Sequence, residues 1–313
     1  MVEESTPSSA NITRTVRAAV EWPTLALAAL IYGGWVGSTY WFNAVPWWVA
    51  LPVCAWFTAW QLSLQHEIIH GHPTRRRWLN TALGFAPLSL WLPFARYRQL
   101  HLTHHRDPYL TDPIEDPESF YVSADAWQRR VKPARALSRF LNTTLGRILF
   151  NPARTIPHFL SGEVRRLLHG SASTARIWAA HAIGVAAVLV WTGAVCGIPL
   201  WQYCLFFVYP GYCLASVRSF VEHRAAILPA HRTAIVERAP VFGLLFLHNN
   251  LHVVHHDHPA MPWYSIPAYY RAHRDALIRG NDGLVYNGYG DAFRRYLFQA
   301  HHGPVAAEQP LAG

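Results

Sequence analysis

Histidine is the residue type in this sequence best suited to chemistry, because many of the 19 histidines fall in short motifs. Three motifs place histidines three or four residues apart, a spacing that turns their side chains toward one face of a helix. The motifs are HEIIH at 66–70, HLTHH at 101–105 and HVVHH at 252–256. With His223, which follows Glu222 in a separate segment, they offer nine imidazoles.

Nine imidazoles are too many for a single metal ion. A structural zinc ion takes about four ligands, so this set suits two metal ions with four or five ligands each. Imidazole binds iron, copper, zinc and nickel, so the ligand type alone does not choose the metal. The repeated motifs, together with the membrane setting described below, favour iron.

Carboxylates are expected just outside these imidazoles, because a ligating histidine usually donates its other ring N–H to an acceptor. For two of the candidates, Glu67 and Asp107, helix capping or a solvated charge is the competing interpretation. Three further acidic residues follow the second motif in a proline-rich stretch, at 112, 115 and 116. The candidates that directly adjoin a motif or His223 are Glu67, Asp107, Glu222 and Asp257.

Long apolar segments must position the motifs. The chain is 51% hydrophobic and only 14% charged, which is typical of a membrane protein when the apolar residues are contiguous. Two shorter apolar pieces, at 78–94 and 241–247, are predicted to lie at the membrane surface or to re-enter it. Four stretches approach the roughly 20 residues that cross a bilayer, and we predict spans at about 22–42, 45–64, 177–198 and 200–217.

Arginine placement predicts the orientation of these spans. The loops within each pair of spans are very short, whereas the segment between the pairs is rich in arginine, and positive charge stays on the cytoplasmic side. The motifs and both termini are therefore predicted to be cytoplasmic. The net charge of +9 is explained by this topology, so no nucleic-acid partner is expected.

The predicted fold class is all-α: a polytopic membrane protein with four transmembrane helices and a cytosolic helical cap that carries the three motifs. One domain is predicted over 18–300, flanked by a disordered N-terminus at 1–17 and a disordered tail at 301–313. The four cysteines lie in apolar stretches without a CxxC pair, which favours buried free thiols over disulfides.

The motifs resemble the histidine boxes of the membrane fatty acid desaturase superfamily, including its bacterial branch. The short interval between the first two boxes and the long interval to the third match the family layout over about 22–275. Ser219 departs from the acyl-CoA desaturases, which have asparagine four residues before the isolated histidine. Carried over by position, the resemblance implies these metal ligands: His66, His70, His101, His104, His105, His223, His252, His255 and His256.

The resemblance also implies the activity. Similar proteins hold two iron ions, which cycle between Fe2+ and Fe3+, and use O2 as co-substrate to desaturate a fatty acyl or lipid-like substrate. The sequence has no reductase motif, so the two electrons are expected from an external donor of ferredoxin or cytochrome type. The resemblance implies an integral, multi-pass protein of the bacterial inner membrane, in contact with the lipid bilayer.

Several alternatives remain open at this level. Hydroxylases and ketolases share the pattern, and so do desaturases of small amino-acid-derived substrates such as dihydrorhizobitoxine. His66, Glu67 and His70 also fit HExxH, the zinc-protease motif, but that reading leaves two motifs unexplained. A metal transporter or sensor is disfavoured because transport histidines should lie within the spans, where only His181 is found.

Overall fold

The computed structural model describes residues 20–306. The predicted disordered segment at 1–17 and residues 307–313 of the predicted tail lie outside the described residues. Within 20–306 the chain is mostly helical, as predicted, and it also forms one parallel pair of strands, β1 (Ile235–Val236) and β2 (Val285–Tyr286). The helices are α1 (Trp22–Tyr40), α2 (Trp47–Ile69), α3 (Arg77–Gly84), α4 (Phe94–His104), α5 (Ala124–Arg129), α6 (Lys132–Leu141), α7 (Thr144–Leu168), α8 (Ala172–Leu189), α9 (Leu200–Tyr203), α10 (Tyr209–Val221), α11 (Pro240–Leu245), α12 (His252–Asp257), α13 (Ile266–Gly280) and α14 (Tyr289–Tyr296).

Two helical segments are long and apolar enough to cross a membrane, Ala172–Val195 and Leu200–Val221. They match the third and fourth predicted spans, although Ala172–Val195 begins five residues before residue 177, where the third span was predicted to begin. Gly197 has a left-handed φ of 68° and Pro199 caps α9, so the two segments are separated by a tight break. α1 and α2 correspond to the first two predicted spans and are 19 and 23 residues long, but they are rich in tryptophan. Neither is among the two segments found apolar enough to cross a membrane, so the four-span topology stays a prediction.

Close packing brings α2 alongside α10, the last part of the span that ends at Val221. At Gly211 of α10, a Cβ atom would lie 2.7 Å from the Cβ atom of Thr58, so only glycine permits this approach. Both helices end at histidine positions: α2 carries His66 in its last turn, and α10 ends two residues before His223. Their side-by-side contact therefore brings two distant parts of the sequence to one end of the helix pair.

The chain after α10 folds back so that the third motif faces the first two. β1 pairs with β2 and also bridges to Leu251, directly before α12. The packed structure continues past the predicted domain boundary at residue 300. His301 is buried against Phe220, with ring centroids 4.9 Å apart, and its Nε2 lies 2.7 Å from the hydroxyl of Tyr286.

Candidate metal centre

Five imidazoles from all three motifs converge in one cluster. His66 and His70 come from the end of α2, His101 and His105 from the end of α4, and His255 from α12. One nitrogen atom from each lies within 4.8 Å of the others. The Nε2 atom of His101 lies 3.0 Å from that of His70 and 3.0 Å from that of His105, which in turn lies 3.0 Å from that of His255.

Four further imidazoles form a second cluster, and all four are buried: His104, His223, His252 and His256. The Nε2 atom of His223 is 3.1 Å from that of His104 and 3.0 Å from that of His252. The Nε2 atoms of His252 and His256 are 3.1 Å apart. The two clusters together contain all nine predicted ligands, and each cluster is large enough for one metal ion.

The two clusters adjoin. The ring of His105, in the first cluster, stacks on the ring of His256, in the second, with centroids 4.4 Å apart. Adjacent residues of a motif enter different clusters, as His104 and His105 do, because consecutive residues on a helix point about 100° apart. The arrangement is therefore a pair of neighbouring sites built from shared helices.

Hydrogen bonds at the opposite ring nitrogens test whether a cation fits the second cluster. The Nδ1 atoms of His104, His223 and His252 face acceptors: a carboxylate oxygen of Asp116 at 2.9 Å, the carbonyl oxygen of Arg232 at 3.3 Å, and the side-chain oxygen of Asn249 at 3.2 Å. These partners assign the proton of each neutral ring to Nδ1. Three Nε2 lone pairs then face one another, a repulsive arrangement that a cation between them would reverse.

The spacing of the nitrogens also suits metal coordination. Metal–imidazole bonds of about 2.1 Å place two ligands about 3.0 Å apart at a right angle and about 3.4 Å apart at a tetrahedral angle. The observed Nε2 separations of 3.0–3.1 Å match the right angle. Five and four imidazoles at such angles suit six-coordinate metal ions with open positions better than tetrahedral zinc.

Carboxylates from the loop after α4 hold two of these rings. His101 donates its Nδ1–H to Glu118 at 2.9 Å, and His104 donates to Asp116 at 2.9 Å. Asp116 also accepts the backbone N–H groups of Thr111 and Glu118 at 2.9 and 2.8 Å, so the same carboxylate shapes the loop. Sequence reasoning noted Asp116 only as a nearby acid and did not single out Glu118, because the loop must fold back before the contact exists.

The structure places three of the four predicted carboxylates, each in a different setting. Glu222 lies 3.3 Å from Nδ1 of His252, one of the predicted ligands. The carboxylate of Glu67 accepts the backbone N–H of Trp263 and lies in a separate buried group with Glu21 and His72. Asp257 is exposed at the wall of a cavity that also touches His256, and the side chain of Asp107 is outside the described part of the chain.

A buried ion pair supports Glu222. The Nε atom of Arg218 lies 3.1 Å from the carboxylate of Glu222, which also accepts the side-chain N–H of Asn249 at 3.1 Å. Burial raises the pKa of Glu222 to about 7, although Arg218 acts in the opposite direction. Arg218 therefore helps to keep the carboxylate ionised, which strengthens the hydrogen bond that it accepts from Asn249. Sequence reasoning missed Asn249 and Arg218 as parts of this network.

Burial sets the protonation of most of these imidazoles. It lowers the pKa of His101 and of His105, so both rings are neutral at pH 7, which is the form that binds metal. His104 differs: burial lowers its pKa, but the carboxylates of Glu118, Asp116 and Glu222 outweigh burial and raise it to about 9. A proton on His104 could bridge its contact with His223, but it would leave the contact between His223 and His252 repulsive.

These features define the class of protein: a helical chain with apolar helices long enough to cross a membrane and two adjoining imidazole clusters beside their ends. The fatty acid desaturase family model matches residues 42–289. The chain therefore belongs to the fatty acid desaturase family, whose members are membrane-bound oxidoreductases. A comparison with curated proteins found no match.

The contact between Glu118 and His101 leads to a first prediction. Glu118→Gln replaces the charged acceptor by a neutral one, so we expect a 10- to 100-fold loss of metal affinity or activity, the usual effect of altering such a partner. Metal content after dialysis and turnover rate would measure it. The matched control is Glu115→Gln in the same loop, where the side chain is exposed. An equal effect of both variants would contradict the assignment.

Proposed function

We propose that the protein is a di-iron desaturase that uses O2 and two electrons to introduce a double bond into a fatty acyl or lipid-like substrate. The observation that carries this proposal is the convergence of four buried imidazoles in one cluster, next to a five-histidine cluster. When bound, the irons supply the O2-derived oxidant for an unactivated C–H bond. The proposed ligands are the nine histidines of the two clusters.

The chain's own residues hold the site rigid and dry. Asp116 and Glu118 accept the Nδ1–H groups of His104 and His101, and Asn249, which is held by Glu222, accepts that of His252. These contacts keep the Nε2 atoms of the rings in a fixed direction. The imidazoles of the four-histidine cluster are all buried, which keeps bulk water from competing with a C–H substrate. Neutral ligands leave the positive charge on the metals, and the nearby carboxylates offset part of it.

The proposed setting is the bacterial inner membrane. Four spans would place the clusters and both termini of this desaturase-like domain on the cytoplasmic side. The substrate would then reach the clusters from the bilayer, since α2 and α10 lead directly to ligating positions. Electrons would come from a separate ferredoxin or cytochrome-type donor on the cytoplasmic side.

The protease alternative fits the geometry less well. A zinc protease of the HExxH type needs its glutamate at the metal-bound water. Here the carboxylate of Glu67 meets the N–H of Trp263, and His66 and His70 share their cluster with three further imidazoles. This arrangement supports the oxidase. Hydroxylases and ketolases of the same superfamily, and desaturases of small amino-acid-derived substrates, begin with the same hydrogen abstraction and are distinguished by product.

Product analysis tests the reaction. Lipids and polar metabolites from cells that express the protein would be compared by mass spectrometry with those from cells that lack it, both grown in air. We expect a product that has lost two hydrogen atoms relative to its precursor. A product that has gained one oxygen atom would show that the reaction is hydroxylation and not desaturation. A change confined to polar metabolites would show that the substrate is a small polar molecule and not a lipid.

A further inference from the structure

A groove on the surface beside the third motif lies apart from both histidine clusters. It has a volume of about 590 Å³ and runs between one side of α13 and the two chain segments that flank α11. Its charged and polar lining residues are Glu237, Arg238, His248, Asn250, Tyr270, Arg271 and Arg274. Neither the metal centre nor the proposed reaction uses these side chains.

The groove carries excess positive charge. Glu237 accepts hydrogen bonds from Nε and Nη2 of Arg274, at 2.6 and 3.0 Å, so these two charges offset each other. Arg238 and Arg271 are exposed, and neither forms a salt bridge within residues 20–306. Arg238 and His248 both have left-handed φ angles, 48° and 58°, so the surrounding structure imposes unusual backbone conformations on two lining positions.

The adjoining helix α11 is apolar on its outer side. Val241 and Leu244 are 59% and 41% exposed. The carbonyl oxygen of Leu244 accepts the indole N–H of Trp60 in α2, at 3.0 Å, and Thr58 of the same helix packs on Gly211 in the Leu200–Val221 span. The exposed apolar face of α11 thus lies beside α2, which packs on a helical segment long and apolar enough to cross a membrane.

We propose that this groove binds the phosphate head of an anionic phospholipid. Arg238 and Arg271 would contact the phosphate, and an acyl chain would lie along Val241 and Leu244. Arginine suits this role because its planar guanidinium pairs with two phosphate oxygens at once. The same head chemistry occurs in soluble phosphate compounds, but the exposed apolar face of α11 matches an attached acyl chain.

Lipid binding to the purified full-length protein tests the proposal. Native mass spectrometry in detergent would follow the retention of dioleoyl-phosphatidylglycerol, with dioleoyl-phosphatidylcholine as the neutral-headgroup reference. We expect the wild type to prefer the anionic lipid. Arg238→Gln and Arg271→Gln should each weaken its affinity about fivefold, which corresponds to about 1 kcal/mol for an arginine near an anionic headgroup.

The matched control is Arg279→Gln, an exposed arginine on α13 that does not line the groove. It should bind the anionic lipid as the wild type does. An equal loss in this control, or wild-type binding by the double variant Arg238→Gln/Arg271→Gln, would overturn the proposal. Displacement of the lipid by millimolar inorganic phosphate would show that the groove binds soluble phosphate compounds and not a lipid, which would also overturn the proposal. Binding needs no turnover, so the outcome does not depend on the proposed reaction.

Discussion

His104→Ala is expected to abolish iron binding and all activity while the protein still inserts into the membrane. His104 connects the four-histidine cluster to the loop after α4. Its Nε2 lies 3.1 Å from that of His223, and its Nδ1–H donates to the carboxylate of Asp116. Removing the ring deletes one ligand and leaves the buried Asp116 carboxylate without its imidazole donor. Helices α8 to α10 do not depend on this contact, so the variant should remain in the membrane fraction.

Iron content by mass spectrometry, turnover, and the amount of protein in the membrane fraction would measure this effect. The matched control is His181→Ala. His181 is also buried, but its Nε2 bonds to the carbonyl oxygen of Leu90 at 2.8 Å, outside both clusters. This control should keep its iron and most of its activity. Wild-type turnover by the His104 variant would count decisively against the ligand assignment.

Removal of the metals should have a comparably large effect. We expect two iron ions per chain in the active protein, complete loss of activity after chelation, and recovery with Fe2+ but not with Zn2+. Without a cation, the Nε2 lone pairs of His223 and His252, which are 3.0 Å apart, repel one another in a buried site. The metal-free protein should therefore also unfold at a lower temperature.

Metal analysis, oxygen uptake and a thermal unfolding curve would check these three effects on one preparation. The wild type treated with the same buffer without chelator serves as the control. One zinc ion per chain together with retained activity after reconstitution with zinc would favour the HExxH protease. An unfolding temperature that does not change on chelation would contradict the proposed role of a cation in relieving the repulsion.

Local spacing was enough to predict several features of this site. Residues three and four apart share a helix face, so His66 and His70, or His101 and His105, must point in a similar direction once a helix forms. Glu222 adjoins His223 in the chain, but the imidazole that its carboxylate approaches is that of His252, 30 residues further on. The helical fold class and the third and fourth apolar segments followed from composition and run length.

Other features depended on contacts between distant segments. Glu118 meets His101 only because the loop after α4 turns back, and Asn249 meets Glu222 across 27 residues. The division of the imidazoles into five and four required the relative placement of α2, α4, α10 and α12. His301 belongs to the tail that was predicted to be disordered, and its burial against Phe220 likewise depends on the final fold.

Helix periodicity acts within a few residues, so local spacing was sufficient to predict sets of imidazoles on helix faces near the ends of apolar segments. Which imidazoles share a cluster, and which oxygen orients each ring, depend on the tertiary structure. That choice rests on packing between helices, such as the approach of α2 and α10 at Gly211, and packing of this kind joins residues whose separation along the chain carries no periodic signal.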